Sequence, residues 1–205
     1  MPEPSHGKEW NTEVQSVEIN PIETDGLILD VGGGGEGIIG RLNGRQVVAI
    51  DTSEKELMET HNQALKVVMD ATDLRFLPKS FDVCTAFFSL MYIAKSMHGK
   101  VFGEVFRVLK DNGRFLIWDA RIPENPGSYD TFFVNLRIRL LGGEVETGYG
   151  VRWQTQSLEY FRELAKSAGF TAINERQHHE IFYLEAEKRP PTPNENDQDA
   201  VRWKL

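Results

Sequence analysis

A short apolar run that ends in glycine constrains this chain more than any other feature. Leu27, Ile28, Leu29 and Val31 read as a buried strand. Gly32 to Gly35 follow, then Glu36 and Gly37, and a helical pattern starts at once with Ile38, Ile39 and Leu42 on one side. A strand that turns through glycines into a helix suits a nucleotide-like ligand. The missing side chains let the ligand reach the backbone, and the helix offers unpaired N–H groups and a positive dipole end.

The glycines alone do not name that ligand. Gly32, Gly34 and Gly37 fit G-x-G-x-x-G, and Asp51, about 20 residues on after a second strand at 46–50, stands where a ribose-binding acid belongs. Several cofactor classes share that pattern. Asp30 divides them: a hydride-transfer domain usually has an apolar residue there, inside the sheet, whereas an acid would face the amino group or sulfonium end of S-adenosylmethionine.

With Asp30 in place, the sequence resembles the class I S-adenosylmethionine-dependent methyltransferases, closest to the small-molecule branch typified by ubiquinone/menaquinone methyltransferases. The matching stretches are Ile28-Leu29-Asp30-Val31-Gly32-Gly33-Gly34, Ala49-Ile50-Asp51, Met69-Asp70-Ala71, Ser80-Phe81-Asp82-Val83 and the run 104–118. They cover 26–119 in the family's order, with a weaker match over 155–187. Glu36 departs from the pattern, since the family usually has its third glycine there.

The 205 residues suggest one domain with appendages: an N-terminal extension (1–25), a methyltransferase domain (26–187) with a β-hairpin insertion at 121–153, and a flexible tail (188–205). Val14, Val17 and Ile19 suggest a short edge strand in the extension, with Trp10 in a lid over the cofactor as one reading and a loose extension as the other. The net charge of −8, with no Lys/Arg cluster, argues against a nucleic-acid partner. No apolar run is long enough to span a membrane and no leader pattern opens the chain. The single cysteine, Cys84, permits no internal disulfide and no zinc cluster, so no metal site is expected. A cytoplasmic location follows as the expectation.

Strand and helix patterns alternate along the core. Strands are expected at 27–32, 46–50, 65–69, 82–88 and 114–118. Helices are expected at 35–42, at 54–62 behind the Ser53 cap, and at 97–109, with a single helical turn near Leu74. Asp111-Asn112-Gly113 makes the turn into the fifth strand. A helix at 157–168 leads to two antiparallel strands, 170–177 and 180–187, joined at His178-His179. The fold class is therefore α/β: a Rossmann-like, seven-stranded, mostly parallel sheet with an antiparallel C-terminal strand pair, helices on both faces, and an inserted β-hairpin.

The resemblance implies a cofactor site made of Asp30, Gly32, Gly34, Asp51, Thr52, Asp70, Ala71 and Phe87, for S-adenosylmethionine and its product S-adenosylhomocysteine. Asp51 would accept from the ribose hydroxyls, Asp70 and the Ala71 N–H would read the adenine edge, the glycine backbone would approach the methionine part, and Asp30 would act through a water or the ammonium. Asp51 and Asp70 also have plain readings, as a helix cap and as a turn residue. Methyl transfer from a sulfonium is an in-line displacement with a good leaving group, so a general base is optional and no catalytic residue is assigned. Tyr92, His98, Tyr129 and Tyr149 are candidates to touch a small-molecule acceptor. Two other readings stand beside this one: a nicotinamide-dependent oxidoreductase, and a non-catalytic S-adenosylmethionine binder.

The insertion alternates strictly. Phe132, Val134, Leu136, Ile138 and Leu140 share one face of its first strand, and Val145, Thr147, Tyr149, Val151 and Trp153 one face of its second. Gly142-Gly143 suits a two-residue turn. That turn pairs Leu140 with Val145, Leu136 with Tyr149, Phe132 with Trp153, and Arg139 with Glu146. The apolar face must be covered, either as a lid over the acceptor pocket, with Tyr149 and Trp153 as acceptor contacts, or by a two-fold homodimer through 131–153.

Overall fold

A computed structural model describes residues 7–189 of the chain. Its elements run in the order β1 (Glu9–Glu18), β2 (Ile28–Val31), α1 (Ile38–Asn43), β3 (Val47–Asp51), α2 (Glu54–Glu59), β4 (Leu65–Val68), β5 (Phe81–Phe87), α3 (His98–Val108), β6 (Leu109–Ala120), β7 (Thr131–Leu140), β8 (Gly143–Arg152), α4 (Leu158–Ser167), β9 (Thr171–His178) and β10 (Ile181–Glu187).

Seven strands form the main sheet in the order β4-β3-β2-β5-β6-β10-β9. The first five are parallel, and β10 is antiparallel to both its neighbours. Every residue of β2 is buried, as a central parallel strand covered on both faces requires. Val101, Phe102 and Val105 of α3 and Phe161 and Ala165 of α4 pack on one face of this sheet. Ile38 and Ile39 of α1 and Leu57 of α2 pack on the other. The expected α/β architecture is the observed one.

Local chemistry sets where the elements start and stop. The first helix begins at Ile38 rather than at residue 35, because Gly35 (φ 59°) and Gly37 (φ 55°) both lie in the left-handed region. Ser53 caps α2, accepting from the Glu56 N–H at 3.3 Å. That helix ends at Glu59, and the Thr60 hydroxyl donates across to the Gly35 carbonyl at 2.9 Å. The expected helical turn near Leu74 is absent. Instead Glu104 of α3 accepts from the Leu74 N–H at 2.9 Å, while Arg107 donates to the carbonyls of Phe76 and Leu74 at 2.8 and 2.6 Å. Those two side chains satisfy backbone groups that a helix would have paired internally.

The fifth strand is longer than expected, and the Asp111-Asn112-Gly113 turn is an excursion within it. Phe81 pairs with Leu109, and pairing resumes at Val83 with Arg114. Asn112 takes φ 61° at the tip. The last two strands turn at His179 and Glu180, with His178 still paired to Ile181. Lys188, where the tail was expected to start, is only 7% exposed. Its Nζ donates to the carbonyls of Phe106 and Leu109 at 2.6 and 2.7 Å. The rest of the expected tail, from residue 190 on, lies outside the described residues.

A second sheet, ordered β1-β7-β8, lies against the same face as α1. β1 runs parallel to β7, pairing Trp10 with Phe132 and Val17 with Ile138. Phe132, Val134, Leu136 and Ile138 are all buried, so the face that motivated a homodimer is covered within the chain. The hairpin faces are as expected, but its register is not. The turn residues are Leu141 and Gly142, and pairing begins with Leu140 opposite Gly143, so Ile138 meets Val145 and Val134 meets Tyr149. Gly142 alone has positive φ, at 95°, as a turn with one left-handed position needs. This register aligns two opposite-charge pairs where the expected one aligned a single pair. Arg137 contacts Glu146 at 2.7 Å and Arg139 contacts Glu144 at 3.3 Å.

Candidate functional site

The carboxyl ends of the parallel strands open onto a cavity of about 550 Å³, within the size range of small-molecule sites. Its wall contains Asp30, Gly32, Gly34, Asp51, Thr52, Asp70, Ala71 and Phe87. All eight candidate cofactor residues therefore meet in one place.

The glycine loop forms the floor. Gly32 and Gly33 donate to the Ile50 carbonyl at 2.8 and 3.0 Å, which ties the loop to β3. Gly32 has φ 73°, and a Cβ there would lie 2.3 Å from Ser89 Cβ. A Cβ on Gly34 would lie 2.6 Å from Glu56 Cβ and 2.9 Å from the Asp51 carboxylate. The loop is a cradle that side chains would fill. Ser89 seals its far side by donating to the Val31 carbonyl at 2.6 Å.

Each acid is held differently. Asp30 is 2% exposed and accepts from the Thr85 hydroxyl at 2.7 Å. Burial pushes its pKa up to about 7, against the Thr85 hydrogen bond and aided by the nearby Asp51 charge. Asp51 accepts from the Ser53 N–H at 2.8 Å through Oδ1, and its Oδ2 faces Gly34. Ser53, not Asp51, caps the helix. Asp70 accepts from the Thr72 N–H at 2.7 Å, and this bond holds its carboxyl below the usual range. Asp70 is thus a turn residue and a cavity residue at once.

The rest of the wall brings in two of the acceptor candidates, Tyr92 and Tyr149, together with Glu36 and Phe88, which the motifs did not point to. Glu36, the departure from the glycine pattern, accepts from the Tyr149 hydroxyl at 2.8 Å and from the Thr147 hydroxyl. It thereby joins the glycine loop to β8. Tyr149 stacks on Phe88, with ring centroids 5.6 Å apart and planes 21° apart. Phe88 itself sits at φ 48°, a left-handed conformation that costs a non-glycine residue energy and tends to cluster at functional sites. Its N–H donates to the Trp118 carbonyl at 2.7 Å. Tyr92 completes this wall. Phe88 also borders a second cavity of about 490 Å³, between residues 16–23 and the ends of β6 and β10. The spacing of Glu36 in the sequence carried no sign of its partners, which lie more than a hundred residues away.

Other candidates fall elsewhere. His98 is buried, with its ring nitrogens against the Tyr160 hydroxyl and the Leu90 carbonyl, both at 3.0 Å, and burial lowers its pKa. Tyr129 stacks on Trp153 at 5.9 Å, and Trp10 meets both edge-on. That aromatic group fastens the end of the second sheet and does not line the cavity. Trp153, expected to contact the acceptor, instead donates to the Pro123 carbonyl at 3.0 Å. The pairing register explains this: the ladder ends at Thr131 with Arg152, leaving Trp153 beyond the strand. Among the described residues no helix is long and apolar enough to cross a membrane.

Known proteins share the fold. Residues 29–117 match the family described as a methyltransferase domain. The matched segment takes in 89 of the 205 residues, from β2 to β6, and includes the glycine loop, Asp51 and Asp70. A sterol 24-C-methyltransferase from Eremothecium gossypii is 28% identical over 164 residues, an alignment that takes in 74% of this chain and 42% of that protein. The chain thus spans less than half the length of this curated relative. A solved structure from Pyrococcus horikoshii is similar with a TM-score of 0.61 at 20% identity, covering 81% of this chain and 84% of that one. An S-adenosylmethionine-dependent methyltransferase from Methanosarcina mazei reaches 0.57 at 19% identity, covering 82% and 95%. At these identities the structural likeness concerns the fold.

Proposed function

We propose that this protein transfers a methyl group from S-adenosylmethionine to a small-molecule acceptor by in-line displacement. One observation carries the reading: the eight candidate residues share one cavity at the strand ends, the place where open α/β sheets bind ligands. When bound, the cofactor supplies an electrophilic methyl group on a sulfonium. The chain's part is to hold and orient the reactants and exclude water.

In this reading Asp51 accepts from the ribose hydroxyls through the oxygen that faces Gly34. Thr52 lies beside it, and Asp70 with the Ala71 N–H reads the adenine edge. The backbone of Gly32 and Gly34 takes the methionine part, Asp30 takes the ammonium, and Phe87 packs on the ligand. The sheet β1-β7-β8 covers the acceptor side through Tyr149, with residues 26–187 as the catalytic unit. Among the described residues no Lys, Arg or His lines the cavity, which favours a small acceptor over a nucleic acid, whose phosphates need such groups. The lone, buried Cys84 suits a cytoplasmic setting.

Calorimetry with S-adenosylmethionine, S-adenosylhomocysteine and NAD tests the cofactor. Binding of the first two and not of NAD is expected, and the reverse would establish the oxidoreductase. A screen of acceptors with labelled S-adenosylmethionine separates an enzyme from a binder that performs no transfer.

A further inference from the structure

The acceptor side of the cavity has a chemical character of its own. The sheet side presents Asp30, Asp51 and Asp70, and the opposite wall presents Glu36, Tyr92, Tyr149 and Phe88. Glu36 is fixed there by two hydroxyl donors from β8. An ionised carboxylate has about four lone-pair sites, so Glu36 can still accept from a ligand. Tyr149, stacked on Phe88, and Tyr92 add aromatic rings beside that carboxylate. Aromatic rings with a carboxylate are the surroundings that favour an ammonium group.

From this wall we infer that the methyl acceptor is an amine, held at its nitrogen by Glu36 and by the rings of Tyr92 and Tyr149. The inference rests on the methyltransferase reading above. Two alternative classes fit the wall less well. A carboxylate or phosphate acceptor would meet Glu36 and Glu56, with no Lys, Arg or His among the described lining residues to offset them. An alcohol or phenol acceptor must lose a proton to become a good nucleophile; among the described residues no His or Lys lines the cavity to take it, and the carboxylate on this wall, Glu36, already accepts from the Thr147 and Tyr149 hydroxyls. The two lining tyrosines do not help: burial and Glu36 hold the Tyr149 phenol far above its ordinary range, and burial with Asp119 and Glu36 pushes Tyr92 up to about 12. An amine acceptor reacts as its free base, having left its proton in solvent before it enters, and so needs no base in the site. Its lone pair forms the N–C bond as the C–S bond breaks with its electron pair going to sulfur. The positive charge passes from sulfur to nitrogen, where Glu36 and the ring faces meet it. Any proton left on the product nitrogen goes to solvent.

The test uses the full chain saturated with S-adenosylhomocysteine and three probes: tetramethylammonium, tert-butanol as its neutral counterpart, and acetate. Tetramethylammonium is expected to bind at least tenfold tighter than tert-butanol, and acetate not at all. Glu36→Gln, which keeps an oxygen acceptor for Tyr149 but removes the charge, should lose at least tenfold for the cation and little for tert-butanol. Tyr149→Leu should lose cation affinity as well. Equal binding of cation and alcohol, or full cation affinity in Glu36→Gln, overturns the inference while leaving the cofactor reading intact. If S-adenosylhomocysteine itself does not bind, the cofactor reading fails and the inference falls with it. With labelled S-adenosylmethionine, transfer to phenols or carboxylates in preference to amines also overturns it.

Discussion

Asp30 makes S-adenosylmethionine binding depend on pH in a calculable way. In the free protein its pKa is raised to about 7 by burial, so at neutral pH about half of the molecules carry a neutral Asp30. If Asp30 holds the ligand's ammonium, only the ionised half is competent. The apparent dissociation constant then scales as one plus ten to the power of pKa minus pH. From pH 7 to pH 5.5 it rises about 16-fold, or about 1.6 kcal/mol. The sign is fixed: acid weakens binding, and at pH 6 each binding event releases about 0.9 proton. Titration calorimetry in two buffers of different ionisation enthalpy measures both quantities. Asp30→Asn should bind more weakly at pH 7 and lose most of the pH dependence over the same window. Asp119, also raised to about 7 by burial, does not line the cavity and does not replace Asp30 in this role. The same shift has a stability sign. An acid whose folded pKa is raised contributes stability below its unfolded value of 3.8 that is lost as pH rises through about 7. Asp30→Asn should therefore flatten part of that decline in the free protein, with the share due to Asp119 remaining. An affinity constant from pH 5.5 to 7, or an unchanged pH profile in Asp30→Asn, would refute the argument.

Further outcomes follow from the same geometry. Asp51→Ala should lose about 2–4 kcal/mol of S-adenosylmethionine binding, because charge-assisted hydrogen bonds to the ribose vanish; a calorimetric titration matching wild type would remove the ribose role. Gly32→Ala should destabilise the fold and abolish cofactor binding, since it forces a Cβ to within 2.3 Å of Ser89 at φ 73°; thermal melts with and without S-adenosylhomocysteine measure both effects. Lys188→Met should destabilise by about 2–4 kcal/mol in urea melts, because one buried and one half-buried carbonyl lose their charged donor. The purified protein should not methylate tRNA or duplex DNA, which incubation with labelled S-adenosylmethionine checks directly.

Much of the fold could be read from local pattern. Val101, Val105 and Phe106 announce one helical face, and Ile28 to Val31 a strand buried on both sides. The eight candidate residues converge because parallel strands bring their carboxyl ends to one edge, and that follows from the strand–helix alternation alone. The failures have a common cause in contacts between distant segments. Glu36 looked like a flaw in a glycine motif, because nothing near it in the chain names Thr147 and Tyr149 as its partners. Leu74 lost its helical turn to Glu104 and Arg107. Lys188 looked like the start of a polar tail because its hydrogen bonds go to Phe106 and Leu109. In the hairpin, alternation fixed which side chains face inward, but a shift of one residue along each strand preserves both faces. Gly142-Gly143 offered two places to turn, and what separates the two registers is the charged face, where the observed one aligns both Arg137 with Glu146 and Arg139 with Glu144.

The pairing of β1 with β7 also sets an order of assembly. Glu9 lies opposite Thr131, and the run extends to Glu18 opposite Arg139. During synthesis β1 emerges ahead of the main sheet and has no partner until the chain beyond residue 140 has been made. The central strands of the main sheet are complete by then. A parallel pairing closed over so long a loop forms late, because the loop-closure entropy must be met before its contacts form. The segment that brings Tyr149 to the cavity is therefore the last to dock, although its first strand is translated before every strand of the main sheet. Until then Trp10, Val14 and Val17 form an unpaired strand open to intermolecular pairing, so the nascent chain is most prone to associate after β1 appears and before β7 does.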